Sequence, residues 1–221
     1  MSLSEFKELI SGLAVVTTVL NFLAGMLVCK QYVVNRSTAE ASPLPFLTGV
    51  LASALWLMYG ITKNDNKIIL VNTIGITLMT LYSLVFFMYT YKKSTTFKQM
   101  VVTMCLLVTS VGYLRFEEDK KILLGRLGTV ACLVTLLAIA APMSKLFYVL
   151  KVKSTECLPF PMILMSFFVS SLWFLYGVIE EDNYLILPNL VGAGLSVFQL
   201  SLFIIFPRTP YTPLLPKSVV A

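Results

Sequence analysis

The chain has 221 residues, a formal net charge of +6, and 57% hydrophobic against 13% charged residues, with a mean hydropathy of +0.85. An ordinary soluble domain runs at roughly 45–50% apolar and about 25% charged, so most of this surface is built for lipid. There is no histidine, and the four cysteines lack the paired spacing of a metal site or a disulfide scaffold, so free thiols and no metal or cofactor are expected.

The first apolar stretch, 9–29, follows the start MSLSEFKEL, which lacks a basic n-region and a small-residue cleavage site. It is predicted to remain as a membrane span and not to be removed as a signal peptide. Further apolar stretches lie at 44–62, 68–91, 98–114, 122–149, 159–178 and 184–206, each able to cross roughly 30 Å of hydrocarbon as a helix. The fourth is short, and Arg126 near the head of the fifth sits poorly in lipid, which allows that span to begin later. The expected fold is an all-α membrane protein with seven transmembrane helices.

One segment of this array occurs twice, 117 positions apart. STAEASPLPFLTGVLASALWLMYG from Ser37 is answered by STECLPFPMILMSFFVSSLWFLYG from Ser154. Ser37 and Thr38 match Ser154 and Thr155, and Trp56, Tyr59, Gly60 and Asn72 match Trp173, Tyr176, Gly177 and Asn189. Spans one to three therefore form one unit and spans five to seven another. The unpaired fourth span restores the direction of the second unit, making the repeats parallel about an axis along the membrane normal. The predicted organisation is a first three-helix bundle at 1–91, a linker helix with its flanking loops at 92–121, a second bundle at 122–207 and a tail at 208–221. The tail, rich in Pro and Thr, has a disordered composition, and Tyr211–Leu214 within it resembles a tyrosine-based sorting signal.

With seven spans the termini fall on opposite sides, and ten basic residues lie on one side against seven on the other. The richer side is cytoplasmic by the positive-inside rule, so the N-terminus faces out and the tail faces in. The positive charge then reports topology and needs no nucleic acid partner. Asn35-Arg36-Ser37 fits a glycosylation sequon, but this orientation puts it in the cytoplasm, where it stays unmodified.

Trp56 and Trp173, the two tryptophans of the chain, lie about six residues inside the outer ends of their spans, roughly 8–10 Å deep. Asn72 and Asn189 lie at a similar depth on the following helices. Indole faces and buried amides about one cavity suit a neutral polyhydroxylated solute, whose hydroxyls pair with the amides and whose C–H faces rest on the rings. A lone Trp at this depth is commonly an interfacial anchor, and a lone Asn a helix-to-helix bond; duplication is what argues for a site. The Asp and Glu residues can all be placed in loops or tails, so no proton relay is expected within the spans. Pro45, Pro142 and Pro159 lie in or at the cytoplasmic halves of their helices, with Gly25 in the fourth corresponding place. All four are hinge candidates, although Pro45 and Pro159 also suit helix starts. Tyr59, Asp65, Tyr176 and Asp182, near the outer ends, are candidates to close the outer mouth.

The doubled Ser-Thr signatures, Trp56-x-x-Tyr59-Gly60 with Trp173-x-x-Tyr176-Gly177, and Asn72 with Pro188-Asn189 resemble the SWEET family of sugar transporters, over about residues 9–207. The resemblance implies two three-helix bundles around a linker helix and a facilitative, bidirectional uniporter, not an enzyme, for mono- or disaccharides. It implies a pocket of Asn72, Trp173 and Asn189 with Trp56 at the matching place, where the large side chain favours a glucose-like monosaccharide. It also implies a proline tetrad, from which Gly25 departs. The plasma membrane is the expected location, with the Golgi or another endomembrane as the alternative. Bulk lipid is the surrounding partner, and a homo-oligomer with a pathway in each copy is compatible. Two rivals remain: an organellar metabolite transporter of the related PQ-loop type, although neither repeat contains Pro-Gln, and a seven-helix receptor, which gives no reason for the repeat.

Overall fold

The computed structural model describes residues 2–140 and 143–208, with the side chains of Leu114, Arg115 and Ser144 left out. Pro142 and the tail from residue 209, including Tyr211–Leu214, lie outside the described residues. Eight helical segments follow one another: α1 (Leu3–Asn35), α2 (Leu44–Lys63), α3 (Asn66–Tyr89), α4 (Lys93–Phe116), α5 (Lys120–Ala140), α6 (Met143–Val152), α7 (Phe160–Ile179) and α8 (Asn183–Ile205). Segments α5 and α6 lie along the fifth predicted span, and among the described residues seven helices are long and apolar enough to cross a membrane.

Local chemistry explains where the helices end. Helix α1 outruns the apolar window 9–29 on both sides. At its start Ser2 and Glu5 form a reciprocal capping box, and at its end Arg36 adopts a left-handed conformation, which satisfies otherwise orphaned backbone groups. Asp65 caps α3 by accepting bonds from the amides of Lys67 and Ile68 at 3.0 and 3.2 Å. Its repeat mate Asp182 caps α8 in the same way, through Tyr184 and Leu185 at 3.0 and 3.3 Å. Helix α4 is a full-length span, longer than its apolar window. Arg126 does not delay α5, which begins at Lys120, because its Nη1 donates to the Tyr113 hydroxyl and lies 3.2 Å from Glu117.

Packing follows the repeat. Helices α2 and α3, α1 and α3 associate in the first half; α7 and α8, α5 and α8 associate in the second. Between halves, α1 lies on α7 and α2 on α5, two contacts exchanged by the repeat, while α4 rests chiefly on α2. The repeated Tyr-Gly pairs permit the tight α2–α3 and α7–α8 approaches. A Cβ on Gly60 would stand 2.8 Å from Ile68 Cγ2, and one on Gly177 would stand 3.0 Å from the Ile186 nitrogen.

The main core runs across both halves at the end that holds the N-terminus of α1, through residues such as Ala14, Leu55, Tyr59, Ala131, Trp173 and Tyr176. A second core of Leu146, Val149, Leu158, Ile163 and Leu202 lies toward the other end and within the second half alone. All four cysteines are free. Among the described residues there are no strands and no cluster of His, Cys, Asp and Glu able to hold a metal.

Candidate functional site

The repeat mates converge on one cavity. Thr18, Trp56, Asn72, Thr135, Trp173 and Asn189 line it, with Ile68, Val71, Val169 and Leu185 as its apolar walls. Its volume is about 150 Å³, well above the roughly 10–15 Å³ that one water requires. Trp56, Asn72, Trp173 and Asn189, anticipated from sequence, are thus brought together.

Thr18 and Thr135 were not anticipated. Trp173 Nε1 donates to Thr18 Oγ1 at 2.8 Å, and Trp56 Nε1 donates to Thr135 Oγ1 at 2.9 Å. Each indole is therefore locked by a threonine of the opposite half, and its N–H is committed before any solute arrives. The ring faces remain as apolar contact surface. The one available signal was the offset, since Thr18 and Thr135 are themselves 117 positions apart.

The amides are held differently. Asn72 Nδ2 donates to the Ile68 carbonyl at 2.9 Å and Asn189 Nδ2 to the Leu185 carbonyl at 2.8 Å, each one turn back on its own helix. An Asn amide offers two donors and an acceptor oxygen, so an N–H and the carbonyl remain for a ligand on each side. Pro188, fully buried inside α8, removes the backbone donor just before Asn189. Two half-buried amides facing two indole planes can pair hydroxyls and cover C–H surface; no ionised group lines the cavity.

Above the cavity the halves are cross-linked again. Tyr59 donates to Asp182 Oδ2 at 2.7 Å and Tyr176 donates to Asp65 Oδ2 at 2.8 Å. All four are buried, at 2–8% exposure, so the layer is closed to water. Each aspartate divides its work, with Oδ1 capping its helix and Oδ2 accepting the tyrosine of the other half. Lys63 adds an ion pair with Asp182 at 2.6 Å and approaches Glu180 at 3.9 Å, while Glu180 also pairs with Lys7. Positions 63 and 180 are repeat mates, so the duplication places opposite charges face to face.

The other end is held within each half. Tyr91 and Lys92 both bind Glu40, at 2.6 and 2.8 Å. The Lys92 ammonium and then the Tyr91 hydroxyl hold the Glu40 carboxyl below the usual carboxylate range, and Glu40 raises Lys92 in return. In the second half Thr155 donates its backbone N–H to the Pro207 carbonyl at 3.1 Å.

The three described hinge candidates fall at helix starts or a tight contact. Pro45 lies in the first turn of α2 and Pro159 is the N-cap of α7, positions with no helical hydrogen bond to lose. Gly25 lies flush against the Tyr82 ring, where a Cβ would stand 2.5 Å from Cε2. Tyr82 in turn donates to the Phe22 carbonyl at 3.1 Å, so Gly25 is a seat for an aromatic ring.

A family model described as a sugar efflux transporter for intercellular exchange matches residues 8–94 and again residues 125–211, the offset of the internal repeat. The protein named sugar transporter SWEET1 from Drosophila pseudoobscura pseudoobscura is 36% identical, over 93% of this chain and 92% of its own length. Those of the same name from Xenopus laevis and Homo sapiens are 33% and 32% identical, covering 94% and 91% of this chain and 97% and 91% of their own. A solved structure of a eukaryotic SWEET transporter has the same fold, with a TM-score of 0.80 at 22% identity over 90% of this chain and 97% of that one. The chain belongs to the SWEET family of sugar transporters, which are membrane carriers and not enzymes.

Proposed function

We propose that this carrier is a facilitative, bidirectional uniporter that moves a glucose-like monosaccharide down its gradient by alternating access. The observation that carries the reading is the cavity on the seam between the halves, with its duplicated indoles and amides, directly beneath a sealed layer of crossed Tyr–Asp bonds. Trp56, Trp173, Asn72 and Asn189 form the sugar pocket, and Tyr59, Asp65, Tyr176 and Asp182 form the outer gate. The cross-bonds described above all lie at the cavity or on its outer side, and the inner core belongs to one half. The arrangement is therefore the state closed outside and accessible from within. Pro45 and Pro159 act as pivots where their helices begin, with Gly25 and Pro142 at the corresponding places in α1 and the fifth span. The two bundles at 1–91 and 122–207 move about the 92–121 linker. The absence of an ionised residue from the cavity lining supports passage without a coupled proton.

The N-terminus faces outward and the tail faces the cytoplasm, in the plasma membrane, with the Golgi as the second location. The cavity lies inside one chain, so a homo-oligomer would hold one pathway per copy. Uptake of labelled glucose, fructose and sucrose into proteoliposomes tests the reading. Glucose flux is expected to be insensitive to pH between about 5 and 8, the range in which a histidine switch would act. Trp173→Ala and Asn189→Ala should each nearly abolish flux in protein that still inserts. Wild-type transport in both variants would sink the pocket assignment.

A further inference from the structure

Arg126 takes no part in the cavity or the outer seal. It lies six residues into α5, about 9 Å along the helix at 1.5 Å per residue, with 59% of its side chain exposed. Only its Nη1 is hydrogen-bonded, to Tyr113 and to Glu117 at 3.2 Å, with the guanidinium 5.7 Å from the Tyr113 ring centroid, and a guanidinium carries five N–H donors. Lys121, also exposed, has no carboxylate partner among the described residues. Both line a crevice of about 530 Å³ together with the side chains of Tyr113, Thr129 and Tyr184.

This crevice continues into a second groove of about 260 Å³, which shares Tyr113, Arg126 and Val130 with it and is otherwise lined by Leu55, Thr109, Ser110 and Leu127. The gap exists because α4 rests chiefly on α2 and leaves its side toward α5 loosely covered. Charge and polarity are therefore graded. At the mouth the cations Lys121 and Arg126 stand with the carboxylates of Glu117 and Asp119, of which Glu117 lies on Arg126 and Asp119 caps α5 through the amides of Lys121 and Ile122, so neither pairs with the Lys121 ammonium. Deeper, Leu55, Leu127 and Val130 line the groove, and the hydroxyls of Thr109 and Ser110 are spent on the carbonyls of Cys105 and Leu106.

We propose that this crevice binds a glycerophospholipid, with the phosphodiester on Arg126 and Lys121 and one acyl chain in the groove between α4 and α5. A phosphodiester supplies a direct anionic partner for the Lys121 ammonium and two oxygens that match the guanidinium fork. An acyl chain fills what a soluble anion leaves empty. The site also touches the outer gate. Tyr184 forms its wall, packs edge-on against Tyr59 with ring centroids 6.0 Å apart, and follows Asp182 by two residues. A seated lipid braces Tyr184 against the Tyr59–Asp182 bond and so favours the sealed outer layer.

Native mass spectrometry of the full chain, titrated with dioleoylphosphatidylglycerol, tests this by a readout independent of sugar flux. One lipid should bind with an affinity at least about tenfold above that of diolein or of soluble glycerophosphoglycerol. The double variant Lys121→Gln/Arg126→Gln should lose about tenfold or more in that affinity, with Arg126→Lys retaining part of it. Equal binding of diolein, equal binding of glycerophosphoglycerol, or an unchanged double variant would each overturn the proposal. Should the double variant fail to fold, the comparison of the three ligands on the wild-type protein still decides.

Discussion

The two tyrosines of the outer layer are repeat mates, yet removing their hydroxyls should have unequal effects. Asp182 Oδ2 accepts from Tyr59 and is also paired with Lys63 at 2.6 Å. Asp65 Oδ2 accepts from Tyr176, and no lysine or arginine lies within 4.0 Å of it among the described residues. Tyr176→Phe therefore leaves a buried carboxylate oxygen without its partner, a loss of about 1.5–3 kcal/mol for a hydrogen bond to a charged group. Tyr59→Phe leaves Asp182 with its ammonium, so the loss falls nearer 0.5–1.5 kcal/mol. Both costs attach to the sealed state, because the open state hydrates the carboxylates. The ratio of open to sealed should thus rise by about 13- to 160-fold for Tyr176→Phe and about 2- to 13-fold for Tyr59→Phe. A Val169→Cys reporter in the cavity wall, on a background with the four native cysteines replaced, would be labelled from outside by an impermeant maleimide. Labelling should accelerate in the order wild type, Tyr59→Phe, Tyr176→Phe. A larger effect from Tyr59→Phe, or none from either, would refute the assignment of these bonds to an outer gate.

Thr18→Val strips the acceptor from the buried indole of Trp173 and should destabilise the protein by about 1–3 kcal/mol, seen as a lower Tm with reduced flux. Thr135→Val should cost less, since Trp56 is only half-buried and water can replace the lost oxygen. Gly25→Ala should cost about 1–3 kcal/mol by overpacking against Tyr82, and a Tyr82→Leu change in the same protein should recover most of it. Gly25→Pro, which would complete the proline tetrad, should be worse and should not gain flux, because it adds the loss of a backbone donor to the same clash.

Much of this was legible in the chain because its signals were local or repeated. Apolar length marked the seven spans, and the offset of 117 marked Trp56, Trp173, Asn72 and Asn189 as a set. Hydropathy missed the terminal turns of α1 because they are held by a capping box at Ser2 and a left-handed Arg36, not by burial. Thr18 escaped notice because a threonine in a span commonly bonds its own helix, as Thr18 also does to the Ala14 carbonyl at 2.7 Å. The seating of Tyr82 on Gly25 joins residues 57 positions apart, and no pattern along the chain announces such a contact. Arg126 looked misplaced because its partners, Tyr113 and Glu117, precede it in a different helix and its cap.

Duplication alone also left open whether the paired residues serve their own half or the other one, and that choice decides the mechanics. Here each aromatic group reaches across: Trp56 to Thr135, Trp173 to Thr18, Tyr59 to Asp182 and Tyr176 to Asp65. Bonds within a half would travel with it and resist nothing when the halves separate. Bonds across the seam are strained together by any rigid rotation of one half, so the layer opens as a unit, the discrete behaviour alternating access needs. The ion pairs then bias that unit. Had the copies remained identical, positions 63 and 180 would carry like charges across the seam; Lys63 facing Glu180 and Asp182 instead adds attraction across the sealed layer. Divergence at one pair of mates thus sets a preference between two conformations that perfect symmetry would leave to the sugar and the membrane.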